Sequence, residues 1–154
     1  MIERPPLVDL VIDTSAILAL LLDEPTASGV QRELGNSIGP VISAASMVEL
    51  GIVTTARFGS AGADAAQAVL DAAGVVAVPV DSLISLAASD AWRRFGKGNH
   101  RAGLNFGDCF TYATAKHYDV PLLCVGDDFK QTDLLLADVS IHAKQVSLWR
   151  APGE

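Results

Sequence analysis

The sequence predicts an α/β protein, a three-layer α/β/α sandwich around a central, mainly parallel sheet of four or five short strands. Three observations predict this fold. Short apolar segments alternate along the chain with longer segments of helical spacing. The apolar segments are hydrophobic at successive positions, which is typical of strands buried on both faces of a sheet. Helical segments separate the strands, as crossovers between parallel strands require.

The first half of the chain predicts two strands and four helices. The segment from Leu7 to Ile12 is mostly apolar and is followed by three helix-capping residue types, so it predicts a strand that runs into a helix. The other boundaries follow from capping residues, prolines and glycines. The first helix ends at about Leu22, a second runs from Thr26 to about Gly35, a strand covers Pro40–Ile42, and two helices cover Ser43–Ala56 and Ala61–Ala73.

The second half predicts two further strands, two helices and an edge strand in the tail. The strands are Val75–Val80 and Pro121–Val125, and the tail strand lies within Ser140–Leu148. One helix is capped by Asp81 or Ser82 and ends at Phe95, a basic loop covers Gly96–Arg101, and the last helix runs from near Gly107 and Asp108 to about Tyr118.

Length and composition predict one globular domain over residues 1–154. Half of the residues are hydrophobic and 19% are charged, which excludes a disordered chain. The longest uncharged apolar run, Thr14–Leu22, is too short to span a bilayer, and the N-terminus lacks the basic start of a signal peptide. Cys109 and Cys124 stand among apolar residues in no metal-binding spacing, so they predict buried, reduced thiols in a cytoplasmic protein.

Acidic residues occur where such a fold places its ligand site, beyond the carboxyl ends of the strands. Asp13 ends the first strand, Glu49 lies on the helix after the second, and Asp108 opens the helix that leads to the fourth. Each also has an ordinary explanation. Asp13 and Asp108 can cap helices, and Glu49, which stands among apolar residues, can pair with an arginine.

Taken together, these carboxylates point to a metal site. Converging carboxylates repel one another unless they hold cations, and a set of oxygen ligands selects a hard ion such as Mg²⁺ or Mn²⁺. The net charge of −7 argues against general affinity for nucleic acid. However, four of the eleven Lys and Arg residues lie within nine positions, beside a histidine. This candidate RNA-binding segment contains Arg93, Arg94, Lys97, His100 and Arg101. Hard ions beside basic residues favour phosphoryl chemistry.

Four segments of the chain resemble conserved segments of the PIN-domain ribonucleases, among them the VapC toxins of bacterial toxin-antitoxin pairs. Val11–Ala16 resembles the opening strand and first acid of that family. Ser43–Glu49 resembles its second acid, with a serine three residues earlier. Leu104–Cys109 resembles the third-acid segment, and Leu123–Phe129 is similar to the closing strand and turn. The resemblance therefore covers nearly the whole chain.

The resemblance implies a PIN-like fold and a magnesium-dependent endoribonuclease. Asp13 and Asp108 would bind Mg²⁺ directly and Glu49 would complete the site, with Mn²⁺ as a substitute ion. Asp127 is favoured slightly over Asp128 as the fourth acid. The hydroxyls of Ser15 and Ser46 are further candidates for the site. The resemblance also implies a structured RNA substrate such as transfer RNA, a homodimer, and a cognate antitoxin that inhibits the enzyme.

Three other functions occur in α/β domains of this kind, and each makes a different demand on the sequence. A haloacid-dehalogenase-type phosphatase needs a second Asp two residues after Asp13, where Ser15 stands. A receiver-like phospho-acceptor domain needs an acidic neighbour for Asp13 and an acceptor after the third strand, where Asp81 looks like a helix cap. A non-catalytic module could bind a partner through its Ala- and Leu-rich helices. Such a module would not bind Mg²⁺, so a titration with the ion separates it from a nuclease.

Overall fold

The computed structural model of the protein describes residues 7–141, and within this range strands alternate with single or paired helices. In chain order the elements are β1 (Leu10–Ile12), α1 (Thr14–Leu21), α2 (Ala27–Asn36), β2 (Pro40–Ser43), α3 (Ala44–Phe58), α4 (Ser60–Ala72), β3 (Val76–Val78), α5 (Ser82–Phe95), α6 (Phe106–Tyr118) and β4 (Leu122–Leu123). None of these helices has the length and hydrophobicity needed to cross a membrane.

The four strands form one sheet in the order β3-β2-β1-β4, and every neighbouring pair is parallel. Val11 of β1 pairs with Val41 on one side and with Leu122 on the other. The residues of β1, β2 and β4 are buried throughout, which explains why these segments are apolar at every position. The predicted parallel sheet is confirmed.

Two hydrophobic cores lie on opposite faces of the sheet. On one face, α5 and α6 cover Val11 and Leu122. On the other face, α1 and its neighbouring helices cover Ile12 and Leu123. Successive strand residues point to opposite faces, so adjacent residues of β1 and β4 enter different cores. The predicted three-layer α/β/α sandwich is therefore confirmed.

Several boundaries differ from the sequence-based ones. The first strand starts at Leu10 rather than Leu7, since the Asp9 carboxylate accepts hydrogen bonds from the backbone N–H groups of Ile38 and Gly39 instead of facing a core. The predicted Asp81 cap is present, and its side chain accepts a bond from Ile84 N. Within the predicted tail strand, residues 140–141 are not in a strand and residues 142–148 lie outside the described part of the chain.

The parallel sheet brings the ends of three elements to one edge. Asp13 directly follows β1, Ser43 ends β2 and caps α3, and the turn at residues 126–129 follows β4. A backbone hydrogen bond from Asp13 N to Leu123 O, 2.9 Å long, joins the ends of β1 and β4. Helix α6 packs against α3, so its N-terminal end belongs to the same region.

Candidate active site

Asp13 is buried at the carboxyl end of β1 and caps α1. Its Oδ2 accepts hydrogen bonds from Ser15 N (3.0 Å) and Ser15 Oγ (2.6 Å), and its Oδ1 accepts one from Thr111 Oγ1 (3.0 Å). The capping role suggested by the sequence is therefore present. The bond to Thr111 is additional, because it comes from α6 and has no part in the cap.

Hydroxyl groups connect Asp13 to three other elements. Ser15 Oγ accepts a hydrogen bond from Val125 N (3.0 Å), which ties α1 to the segment after β4. Ser46 Oγ on α3 lies 3.1 Å from Thr111 Oγ1, and both side chains are buried. Ser15 and Ser46, the two serines that the sequence suggested, thus belong to the hydrogen-bond network of Asp13, and their role in a catalytic site stays a prediction. Thr111 was missed, although its position three residues after Asp108 on a helix puts the two on one face.

Asp108 lies in the first turn of α6, where it forms a capping box with Asn105. Its Oδ2 accepts a bond from Asn105 N (3.0 Å), and its own N–H donates to Asn105 Oδ1 (2.9 Å). The pKa of this carboxyl is raised from 3.8 to about 7, and burial is the main cause. The bond from Asn105 opposes the shift, and the charges of Asp13, Asp128 and Glu49 add to it. Three other acids therefore act electrostatically on Asp108.

Glu49 is half-buried on α3, facing the start of α6. Burial raises its pKa, and the charge of Asp13 adds to the effect. A side chain at Gly107 would overlap the Glu49 carboxylate, so this glycine leaves room for the Glu49 side chain beside the start of α6. The apolar neighbours that suggested a buried position, Val48 and Ile52, are themselves exposed. No arginine pairs with Glu49 within residues 7–141.

The two acids after β4 differ in their surroundings. Asp127 is exposed and forms an ion pair of 2.6 Å with Lys130, whose hydrogen bond and charge lower the Asp127 pKa. Asp128 instead contributes to the raised pKa values of Asp108 and Cys124. Both side chains are exposed. Asp128 is favoured as the fourth acid, against the sequence-based preference for Asp127, because Asp127 already has a cationic partner and Asp128 acts on Asp108.

The donor set of the site fits a hard divalent ion. Asp13, Glu49, Asp108 and Asp128 supply only oxygen atoms, and none of them has an ion-pair partner in the described residues. A carboxylate offers about four lone-pair positions, of which Asp13 uses three. Residues 7–141 hold no group of three or more His, Cys, Asp or Glu side chains placed to bind one ion. A Mg²⁺ ion needs fewer than three protein side chains, since its usual ligands are one or two carboxylates and several waters.

Comparisons with known proteins identify the family. The PIN domain family model matches residues 10–135. A Ribonuclease VapC from Mycolicibacterium smegmatis is 46% identical over 125 residues, which cover 81% of this chain and 97% of the relative. The chain belongs to the PIN-domain family. Its high identity over nearly the whole relative places it among the VapC ribonucleases, so the predicted enzyme class is confirmed. The receiver-like and non-catalytic alternatives are not supported.

Solved structures show the same PIN fold at low sequence identity. The crystal structure of Mycobacterium tuberculosis VapC20, titled a sarcin-ricin loop cleaving toxin, matches with a TM-score of 0.68 at 17% identity and covers 82% of this chain and 97% of that one. A toxin-antitoxin complex from Klebsiella pneumoniae matches with a TM-score of 0.59 at 15% identity, covering 81% and 93%. At these identities the structures support the fold.

Two of the five predicted RNA-binding residues of this PIN domain are held by its own packing. The guanidinium of Arg94 contacts Asp133 (3.4 Å), donates to Tyr112 Oη (3.3 Å) and lies 4.8 Å from the centre of the Phe95 ring. His100 Nδ1 accepts a hydrogen bond from the backbone, and its ring packs edge-on against Phe95. Both side chains therefore have structural partners.

The other three predicted RNA-binding residues are exposed. Arg93 forms an exposed ion pair of 3.4 Å with Asp90 on the same helix. Lys97 and Arg101 form no ion pair in the described part of the chain, so their charges remain free to meet a phosphate. Cys109 and Cys124 are free and buried, as the sequence predicted.

Proposed function

We propose that this PIN domain is a magnesium-dependent endoribonuclease that acts as the toxin of a toxin-antitoxin pair. The observation that carries the proposal is the raised pKa of two carboxyls, Asp108 and Glu49, at the edge of a parallel sheet. Burying like charges together without a cation costs stability, so a fold that keeps them has a use for them. The VapC ribonuclease relatives supply the reaction class.

In this proposal the acids have different roles. Asp13 and Asp108 would bind Mg²⁺ directly, with Mn²⁺ able to replace it, and Glu49 and Asp128 would complete the site, in part through water. A bound divalent ion would activate a water and stabilise charge on the scissile phosphate. Ser15 holds Asp13 in its buried position.

The proposed substrate is a structured RNA such as transfer RNA. The solved relative VapC20 is titled as cleaving the sarcin-ricin loop, which is one such RNA. Lys97 and Arg101 would contact the RNA backbone, since they are exposed and have no described ion-pair partner. These contacts would bring RNA to a protein whose net charge of −7 otherwise repels it.

The proposed partners are an antitoxin and a second copy of the chain. A solved neighbour is titled a toxin-antitoxin complex, which supports an antitoxin partner. Such a partner could insert an Arg or Lys among the acids of the site and compete with the metal. A cytoplasmic location suits both an RNA substrate and two unpaired thiols. The homodimer remains an expectation from the family resemblance.

The test is RNA cleavage by purified wild-type protein and two variants, with Mg²⁺ or with a chelator. Wild type should cleave only with the ion, and sequencing of the RNA ends should locate the cut. Asp13→Asn should be inactive. Asp64→Asn is the matched control, because Asp64 is exposed on α4 and the variant loses the same charge. Cleavage that continues in chelator, or at the wild-type rate in Asp13→Asn, would overturn the proposed mechanism.

A further inference from the structure

A buried chain of two hydrogen bonds leads from Ser46 through Thr111 to Asp13. Thr111 Oγ1 lies 3.0 Å from Asp13 Oδ1 and 3.1 Å from Ser46 Oγ, and all three side chains are at least nine-tenths buried. An ionised carboxylate only accepts hydrogen bonds, so Thr111 must donate to Asp13. A hydroxyl has one proton, so Ser46 must donate to Thr111. The direction of both bonds is therefore fixed.

The two hydroxyls lie beside the other two acids. Ser46 is three residues before Glu49 on α3, and Thr111 is three residues after Asp108 on α6. Residues three apart on a helix are neighbours on one face. The contact between Ser46 and Thr111 therefore joins α3 and α6 about one turn from Glu49 and Asp108. It helps to set how the two helices that carry these acids pack against each other.

The helix cap does not account for these hydrogen bonds. The cap of α1 is already made by Ser15 N, on the other oxygen of Asp13. Removing the Thr111 hydroxyl would leave the buried Asp13 Oδ1 without a donor, so some loss of stability is expected as well. Thr111 does supply an orientation, because its single bond to Oδ1 fixes the carboxylate plane and leaves one lone pair of that oxygen unused.

We propose that Thr111, with Ser46 behind it, is a positioning residue of the acidic cluster. Thr111 holds the Asp13 carboxylate in the orientation that binds the divalent ion, and the contact of Thr111 with Ser46 fixes the packing of the two helices that carry Glu49 and Asp108. This inference rests on the proposed metal-dependent function. Partners that orient metal ligands in this way typically change metal affinity or activity by about 10–100-fold when they are removed.

The test compares two buried threonines of α6. Thr111→Val keeps the shape and removes the hydroxyl, and Thr111→Ser restores the hydroxyl. Thr114→Val is the matched control, since Thr114 is equally buried and its hydroxyl donates within the helix, to Phe110 O at 2.7 Å. Calorimetric titration of each metal-free protein with Mg²⁺ gives the affinity without RNA. Melting in chelator reports the fold, and cleavage against Mg²⁺ concentration reports the metal requirement.

Thr111→Val should bind Mg²⁺ about 10–100-fold more weakly and need correspondingly more of the ion for cleavage. Thr111→Ser should recover most of the affinity, and Thr114→Val should match wild type. If Thr111→Val does not fold, Ser46→Ala replaces it. That variant removes only the donor to Thr111, so we expect a smaller loss of Mg²⁺ affinity in the same direction.

The possible results separate this inference from the proposed function. Wild-type Mg²⁺ affinity in Thr111→Val, or in Ser46→Ala where that variant replaces it, would overturn the positioning role and leave the metal-dependent function standing. An equal loss in Thr114→Val would assign the effect to packing of α6 and would also overturn the positioning role. Failure of the wild-type protein to bind Mg²⁺ would overturn both.

Discussion

Replacing Asp108 with Asn removes the acid whose ionisation costs the metal-free protein most. Asp108 is 8% exposed, and burial together with the charges of Asp13, Asp128 and Glu49 raises its pKa from 3.8 to about 7. Between these two values the folded protein holds the proton and the unfolded chain releases it, so the free energy of unfolding falls as pH rises. Above the pKa that Asp108 has in the folded protein, this loss of unfolding free energy is complete and amounts to about 4 kcal/mol.

Asp108→Asn should escape this loss. The amide carries no charge, and its oxygen can still accept the hydrogen bond from Asn105 N that completes the capping box. In chelator, the stability advantage of the variant over wild type should therefore grow with pH, by about 1.4 kcal/mol for each pH unit, and level off near pH 7. Added Mg²⁺ should stabilise the wild type more than the variant, since a ligand of the folded state acts by mass action.

Urea unfolding at several pH values from about 5 to about 8 measures this advantage directly. Asp64→Asn provides the control for loss of one negative charge at an exposed site. A stability difference between Asp108→Asn and wild type that stays constant over this pH range would refute the electrostatic coupling. A difference that follows pH in the same way for Asp64→Asn would assign it to net charge instead of to the cluster.

Three further predictions concern Gly107 beside Glu49 and the basic residues of the predicted RNA-binding segment. Gly107→Ala places a methyl group against the Glu49 carboxylate, so cleavage should fall while melting in chelator changes little; full activity would contradict the close approach. Replacing Lys97 and Arg101 with Ala should lower the slope of log affinity against log salt by about 1 for each lost phosphate contact, measured by RNA binding. Arg94→Ala should instead lower the melting temperature, because Arg94 pairs with other side chains of the fold; an unchanged melting temperature would contradict that role.

Most of the fold could be predicted from local patterns, because three of the four strands of the described sheet are buried throughout. The apolar runs around Val11, Val41 and Leu122 predicted strands correctly, and the helices between them predicted parallel pairing. Strand lengths could not be predicted in the same way. Asp9 delays the start of the first strand by accepting bonds from a loop about thirty residues away, and such a long-range partner leaves no local signal in the sequence.

The site was predictable only in part. Asp13 and Asp108 follow from their positions at a strand end and a helix start, Glu49 follows from its apolar neighbours on α3, and the fold brings the three into electrostatic contact. The choice between Asp127 and Asp128 depends on which way a turn faces and on the ion pair with Lys130, which adjacent residues of the same type cannot show. The roles of single hydroxyl and arginine side chains are equally difficult to predict from the sequence. These roles depend on partners from distant elements, as they do for Thr111.

In the proposed function, Asp13 has a catalytic role in addition to its structural role as the cap of α1. Repulsion alone would predict that Asp13→Asn raises the stability of the metal-free protein. The hydrogen bonds predict the opposite, because both oxygens of Asp13 accept bonds and an amide nitrogen can accept none. In either orientation of the Asn side chain, its NH2 group faces the donors of Ser15 or the donor of Thr111. The lost hydrogen bonds lower the free energy of unfolding by about 1–3 kcal/mol.

We therefore expect Asp13→Asn to be inactive and also less stable than wild type in chelator, whereas Asp108→Asn is inactive and more stable above pH 7. Thermal melting of the two variants in chelator, beside wild type, measures this contrast. If both variants melt above wild type, repulsion dominates at Asp13 as well and the hydrogen bonds of its carboxylate contribute little. If both melt below it, the electrostatic cost assigned to Asp108 is wrong.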